Sequence, residues 1–506
     1  MELYSYATKR SAISMYGKYD YNINKPFGAL IHAISSFCDF LLLSDESTKS
    51  SYRSKIEIAV GEQGKLLTDI VPNLHLIIGQ QPPVSDMLGQ TAKNRLNYIF
   101  TKFFKGICSL DSPILLVLED LQLLDVMSLD LLTAMITDKH LNNIMLIGTY
   151  RSDEVGADHS VFRLMKNIKN SKTNITNIEL NSLTPESVND LISDTFKIPS
   201  IESFPISVLV HEKTHGNPFF VSQMIKLLVD QRVIFYCDQS GGWKWNEADF
   251  NNEGISDAVL EVLRNKILSF DSNTRHTLMI ASCVGSPFYL STLKIVVNDG
   301  EGIERALSTG MLVPCQGSGD VFRFAHDKIQ EAAYSLLPDH IEISFQIGMK
   351  LWNHLSEDEL EINIFPVANL LHRGMDRMPV ALRLKAVQLF HSAGHKAIMY
   401  TAFEFGWKYL ETGIELLGDD CWEFDSDFAI AIYDTTSRAA YCAKQFDRME
   451  ELIDIITEHS TSVLQLAKSC SLRIISYRDR AMFREVILYT VLFYLINVNF
   501  NKMSGL

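Results

Sequence analysis

Basic residues are in short supply. Forty-six Lys and Arg face 61 Asp and Glu, for a net charge of −15. That balance disfavours a protein whose main task is to lie along nucleic acid, because phosphate contacts need a clustered basic surface. Paired cysteines are missing too. The eight cysteines (Cys38, Cys108, Cys237, Cys283, Cys315, Cys421, Cys442 and Cys470) are scattered without a CxxC, so they read as reduced core thiols rather than a zinc site or a disulfide framework. The N-terminal MELYSYATKR lacks the apolar centre of a signal peptide. The apolar stretch 486–498, VILYTVLFYLINV, is too short to span a bilayer and is read as a core helix or the frayed end of a longer protein. No membrane span and a cytoplasmic location are therefore expected. Finally, no GxxxxGK[ST] loop occurs. Gly17-Lys18-Tyr19 and Gly64-Lys65-Leu66 lack both the Ser or Thr after the lysine and the leading glycine.

What is present is an ordinary globular composition, 47% hydrophobic and 21% charged, in a chain of 506 residues, long enough for about three or four domains. Segment 114–125, ILLVLEDLQLLD, is a buried-strand pattern ending in two adjacent carboxylates, Glu119 and Asp120. Acidic groups at the end of such a strand are what nucleotide-hydrolysing proteins bring to Mg²⁺ and to the attacking water.

Around that strand the pattern is α/β. Residues 90–110 carry Leu96, Ile99, Phe100, Phe103, Phe104 and Ile107 at helical spacing, 128–136 reads as a helix, and 144–150 (IMLIGTY) as a second buried strand ending at Arg151. Two strands bridged by a helix imply a parallel sheet, with ligands at the carboxyl ends of its strands. Glu119, Asp120 and Arg151 all fall there.

Downstream, 184–233 reads as helical, with Thr184 as N-cap, Pro185 in the first turn and a break at Gly216-Asn217-Pro218. Residues 233–245 suggest a β-hairpin, and 256–337 a helical domain closing with a two-stranded wing around the turn QGSGD. Beyond Pro338 the chain is expected to be helical, with small residues Ala393, Ala397, Ala402, Gly406 and Gly413 marking close helix approaches, although no exact 34-residue repeat is found.

Six motifs in order, YGKYDYNINKPFGAL, IVPNLHLIIG, ILLVLEDLQLLDVMSLDLL, LIGTYRSDEV, KTHGNPFFVSQMI and FRFAHDKIQEAAYSLL, resemble the STAND-type AAA ATPase module of large signalling kinases, also described as an Orc1-like or predicted-ATPase domain. The resemblance runs from about residue 16 to 422. It implies a P-loop NTPase core with an incomplete parallel sheet (1–183), an all-α lid with a β-hairpin (184–255), a winged-helix domain (256–337) and a TPR-like helical-repeat arm (338–506). It implies ATP and Mg²⁺ as cofactors of the intact family, and kinase or histidine kinase domains of the same or an associated chain as partners. By carry-over Glu119 takes the Mg²⁺-associated position, where the family usually has Asp, and Asp120 polarises water. Arg151 resembles a γ-phosphate sensor, and Gly216, Asn217 and Pro218 match the lid motif that approaches the nucleotide base. The family's phosphate-binding loop lies upstream of GKYD, which here begins at Gly17, so the chain is expected to be a fragment or degenerate copy that lacks it.

Three functions are compatible with these motifs: the switch and sensor region of a signalling ATPase, a degenerate interaction scaffold, and a winged-helix regulator. The last is disfavoured by seven Lys and Arg against nine Asp and Glu over 257–337. His211-Glu212-Lys213-Thr214-His215 formally matches HExxH, but Gly216 and Pro218 break the helix that a zinc site needs. His326-Asp327 is read as a capped helix start rather than a catalytic pair.

Overall fold

A computed structural model describes residues 6–491, except 8, 20–25, 86, 110–111, 153, 157, 172, 240, 247–258, 298–299, 316–319, 419–420 and 461–462. The described chain divides into two compact units, one of 1–175 with 341–506 and the other of 176–315 with 320–340.

In the first unit the apolar run forms the middle strand of a parallel sheet. β1 (Ile13–Lys18), β2 (Ile114–Glu119) and β3 (Ile144–Gly148) lie in the order β1-β2-β3, with Lys18 opposite Glu119 and Leu118 opposite Gly148. A parallel strand needs both faces covered, which is why β2 carries no polar alternation; Ile114 and Leu118 are 1% and 0% exposed. Helices α1 (Gly28–Leu43), α2 (Glu46–Val60), α3 (Gly89–Ile107), α4 (Val126–Thr137) and α5 (Ser160–Asn170) surround the sheet. The expected apolar face of α3 is buried residue for residue, and its Phe100 ring meets Phe27 at 5.6 Å. Gly17 lets α1 close on β1: a Cβ there would lie 2.0 Å from the carbonyl oxygen of Ala29.

β3 departs from expectation. Its sequence reads as a buried strand, yet it is the sheet's edge among the described residues, and Met145 is 60% exposed. An apolar run states that a strand is compatible with burial, whereas actual burial depends on a neighbour the run does not encode.

The second unit begins with three helices, α6 (Pro185–Phe196), α7 (Ser200–Thr214) and α8 (Pro218–Asp230), whose buried Val188, Ile192, Val210, Val221 and Leu228 share one core. Asn189 is buried among them and satisfied: Ser203 and Ser207 hydroxyls donate to its Oδ1 at 2.7 and 3.0 Å, and its Nδ2 donates to Ser200. The expected hairpin is β4 (Ile234–Cys237) with antiparallel β5 (Gly242–Trp245). Then α9 (Val259–Ser269), α10 (Ser272–Val284), α11 (Leu290–Val297), α12 (Gly300–Ser308) and α13 (Asp327–Ser335) accompany a small antiparallel sheet. Its expected strands, β7 (Leu312–Pro314) and β8 (Val321–Phe324), gain a third, β6 (Phe288–Tyr289), in the order β6-β8-β7. Residues 316–319 of the expected QGSGD turn lie outside the described residues.

The arm returns to the first unit. Its main helices are α14 (His340–His354), α15 (Ile364–Arg373), α16 (Arg383–Met399), α17 (Phe403–Leu417), α18 (Ser426–Cys442), α19 (Phe446–His459) and α20 (Val463–Asp479). α16 and α17 pack backbone against backbone at Gly394 and Gly406; a Cβ on Gly406 would sit 3.0 Å from the Gly394 carbonyl oxygen. Gly413, also expected at a close approach, has only ordinary contacts at 3.9 Å. The Arg448 guanidinium clasps both oxygens of Glu411, at 2.9 and 3.1 Å, tying α19 to α17. The arm is docked on the α/β part: the Tyr400 hydroxyl donates to the Asp69 carbonyl at 2.8 Å, and Lys93 Nζ on α3 lies over the Phe403 ring. The described part of the stretch expected as a core helix, 486–491, is helical but not buried, with Ile487 67% exposed; residues 492–498 lie outside the description. No described helix is long and apolar enough to cross a membrane.

Candidate functional site

The carboxyl ends of β1 and β2 and the turn after β3 bring Lys18, Glu119, Asp120 and Arg151 together. β2 stops because Asp120 turns left-handed, at φ 60° and ψ 48°, a conformation that Asp tolerates better than most side chains. The chain is then held by Leu121 N–H donating to the Thr149 carbonyl at 2.8 Å. Asp120 is mostly buried and lies between two cations. Lys18 Nζ is 3.1 Å from its Oδ2, with both side chains about one-seventh exposed, and Arg151 Nε is 3.9 Å from its Oδ1. Gln122 joins the two halves: its Nε2 donates to Asp120 Oδ1 at 3.0 Å, and its Oε1 accepts from the Arg151 N–H at 3.3 Å. Arg151 also meets Glu154 at 2.9 Å, as a surface pair would.

Glu119 is placed differently. Its Oε2 accepts a 2.7 Å hydrogen bond from the Tyr16 hydroxyl, and Tyr16's carbonyl faces His32 Nδ1 at 3.0 Å. Of the two carboxylates, Asp120 is already matched by cations, whereas Glu119 faces a neutral hydroxyl and keeps more capacity for a cation. Among the described residues no cluster of three or more His, Cys, Asp or Glu could hold a metal by itself. Two carboxylates suit Mg²⁺ that completes its octahedron with phosphate and water, so the pair fits a nucleotide-borne ion rather than a resident one.

Behind the site, the Tyr19 side chain is buried, and burial, with the Asp125 carboxylate beside it, pushes the phenol's pKa well up. Burial also raises the pKa of Asp125, against its hydrogen bonds from Ser128 N–H and hydroxyl at the start of α4.

Gly216, Asn217 and Pro218 belong to the second unit and have their own local logic. Gly216 is at φ +70°, and a Cβ would fall 2.1 Å from the Leu183 carbonyl oxygen. Asn217 caps α8 by accepting from Phe219 and Phe220 N–H at 3.0 and 3.3 Å, and Pro218 fills the first turn. His215, left-handed at φ 50°, ends α7, so the HExxH spacing never forms one continuous helix. His326 is the N-cap of α13, its Nδ1 accepting from Lys328 N–H at 3.1 Å.

Sequence reasoning misses Lys18, Gln122 and Tyr16 as members of the site. Lys18 enters it only as part of a failed phosphate loop; its place at the end of an alternating strand is the available signal.

Residues 1–147 match the AAA ATPase domain family. Over 93% of its length the chain is 21% identical to the hybrid signal transduction histidine kinase G of Dictyostelium discoideum, and it spans 17% of that protein. A solved structure, a signal transduction ATPase with numerous domains (STAND) protein with a tetratricopeptide repeat sensor from Pyrococcus horikoshii, aligns with 97% of this chain and 69% of its own, at 12% identity and a TM-score of 0.45. Residues 1–147 are thus similar to the AAA ATPase domain, and the ordered motifs between about residues 16 and 422 resemble the STAND-type AAA module.

Proposed function

We propose that this chain is the nucleotide-switch and sensor region of a STAND-type signalling protein, with the α/β part as the switch and the helical arm as the sensor. The observation that supports it best is the convergence of Glu119, Asp120 and Arg151 at the carboxyl ends of parallel strands. When bound, Mg²⁺–ATP would supply the phosphoanhydride whose cleavage resets the switch. Glu119 would hold the metal, Asp120 would orient and polarise water, and Arg151 would meet the terminal phosphate, exchanging its pairing with Asp120 for the ligand. Lys18 balances the charge of Asp120 in the resting site. Gly216, Asn217 and Pro218 would present the lid, and 256–337 would act as a winged-helix element relaying nucleotide state. A kinase or histidine kinase domain is the proposed recipient of the signal, acting from the cytoplasm.

Residues 1–506 hold no GxxxxGK[ST], so the phosphates would meet side chains alone, and affinity is expected to be weak, on the order of 1 mM. Titration calorimetry with Mg²⁺–ATP tests the reading. Heat that disappears in Arg151→Ala and in Glu119→Gln supports it; no binding at any accessible concentration sinks it for this chain. The second reading, a scaffold that no longer sees nucleotide, is favoured by one observation: Asp120 is already paired by Lys18, Gln122 and Arg151.

A further inference from the structure

We infer that the seam between α3 and the arm is a binding site for a small organic anion, independent of the nucleotide reading. Within the first unit, a cavity of about 190 Å³ lies between Val84, Ser85, Met87 and Leu88, α3, α16 and α18. Leu66, Leu96, Ile398 and Met399 form apolar walls, while Arg95, Arg438 and His395, with the hydroxyl residues Ser85, Thr401 and Thr435, supply its polar lining. In a chain of net charge −15 this local excess of cations is the reverse of the average.

Of the two arginines, Arg438 leaves its donors open to a ligand. Arg95 lines the cavity, but its Nη1 donates to the Ser85 carbonyl at 2.7 Å and its Nε is closed off from solvent, so it contributes positive charge rather than a free Nε donor. Arg438, exposed on α18, makes no ion pair within 4.0 Å among the described residues, although its charge acts on Asp434. Its acidic neighbour, Asp434, lies one turn earlier on the same helix; burial raises the pKa of that carboxyl, opposed by the charges of Arg438 and Lys468.

Size and lining together specify the ligand class. An apolar cavity of roughly 150 Å³ takes up benzene, so this one accommodates a single ring or a branched chain of similar bulk. The guanidinium groups add a planar carboxylate, the geometry that arginine recognises best. Because α3 belongs to the α/β part and α16 and α18 to the arm, a ligand here binds only while the arm is docked and favours that state.

Benzoate is the probe, with benzamide as its neutral isostere, both titrated into the full chain by ligand-observed NMR. The expected result is benzoate binding at least about tenfold tighter than benzamide, weakened about tenfold in Arg438→Gln and abolished in Ala92→Phe, which fills the cavity and keeps its charges. Arg438 is exposed, so its variant folds even if the second does not. Equal binding of benzoate and benzamide, benzoate binding unchanged in Arg438→Gln, or no binding of benzoate by the unaltered chain overturns the proposal.

Discussion

Lys18 and Asp120 meet at 3.1 Å across the ends of two parallel strands, although 102 positions separate them in the chain, and both side chains are largely withdrawn from water. Removing one member of such a pair leaves the other poorly solvated. Lys18→Met is therefore expected to destabilise the α/β part by about 2 kcal/mol, and Lys18→Met with Asp120→Leu to recover part of the loss. Hydrogen exchange of the β1 and β2 amides reads this without assuming that the two units unfold together; equal protection in the single variant and the unaltered chain would refute it.

Gly17→Ala should be more damaging than its single methyl suggests. The added carbon meets main chain, the Ala29 carbonyl oxygen at 2.0 Å, and main chain cannot rotate away as a side chain can. A loss of about 2–3 kcal/mol is expected, visible as a lowered thermal midpoint and as faster exchange in α1.

For Asn217 the local and the ligand-related roles separate experimentally. Asn217→Asp keeps an acceptor for the Phe219 and Phe220 N–H groups and should leave stability nearly unchanged, whereas Asn217→Ala should cost the second unit about 1 kcal/mol. Thermal unfolding of both variants checks the capping role; equal loss in both would show that the acceptor does not matter.

Asp125 gives the α/β part a pH dependence of predictable sign. Burial raises its pKa in the folded chain above the ordinary carboxylate value, so the native state holds the proton more tightly than the unfolded state. The resulting stabilisation is complete below the ordinary carboxylate pKa and is lost as pH rises through the raised value. Asp125→Asn retains an N-cap acceptor for Ser128 and should flatten this slope. Denaturation midpoints across the mildly acidic range measure it, and identical slopes in the two proteins would contradict it.

Much of the scaffold is legible in the sequence because the signals are local. The buried face of α3 follows from helical spacing, Thr184 and His326 from capping chemistry, and the α7 break from Gly216 and Pro218. The cage around Asp120 is half legible. Glu119, Asp120 and Arg151 each end a strand pattern, but Lys18 and Gln122 acquire meaning only once strands distant in sequence are in register. β6 spans two residues and is too short to read, and Gly394 gives no sign of its importance until α17 lies against it. The exposure of β3 is illegible for a related reason: an apolar strand is written alike whether one flank is paired or two.

That exposed flank is also a place where the sheet is open to a further strand. Among the described residues no strand pairs with the outer side of Ile144, Met145, Leu146 and Ile147, and an apolar edge whose main-chain donors and acceptors lack a ladder partner is a template for another strand.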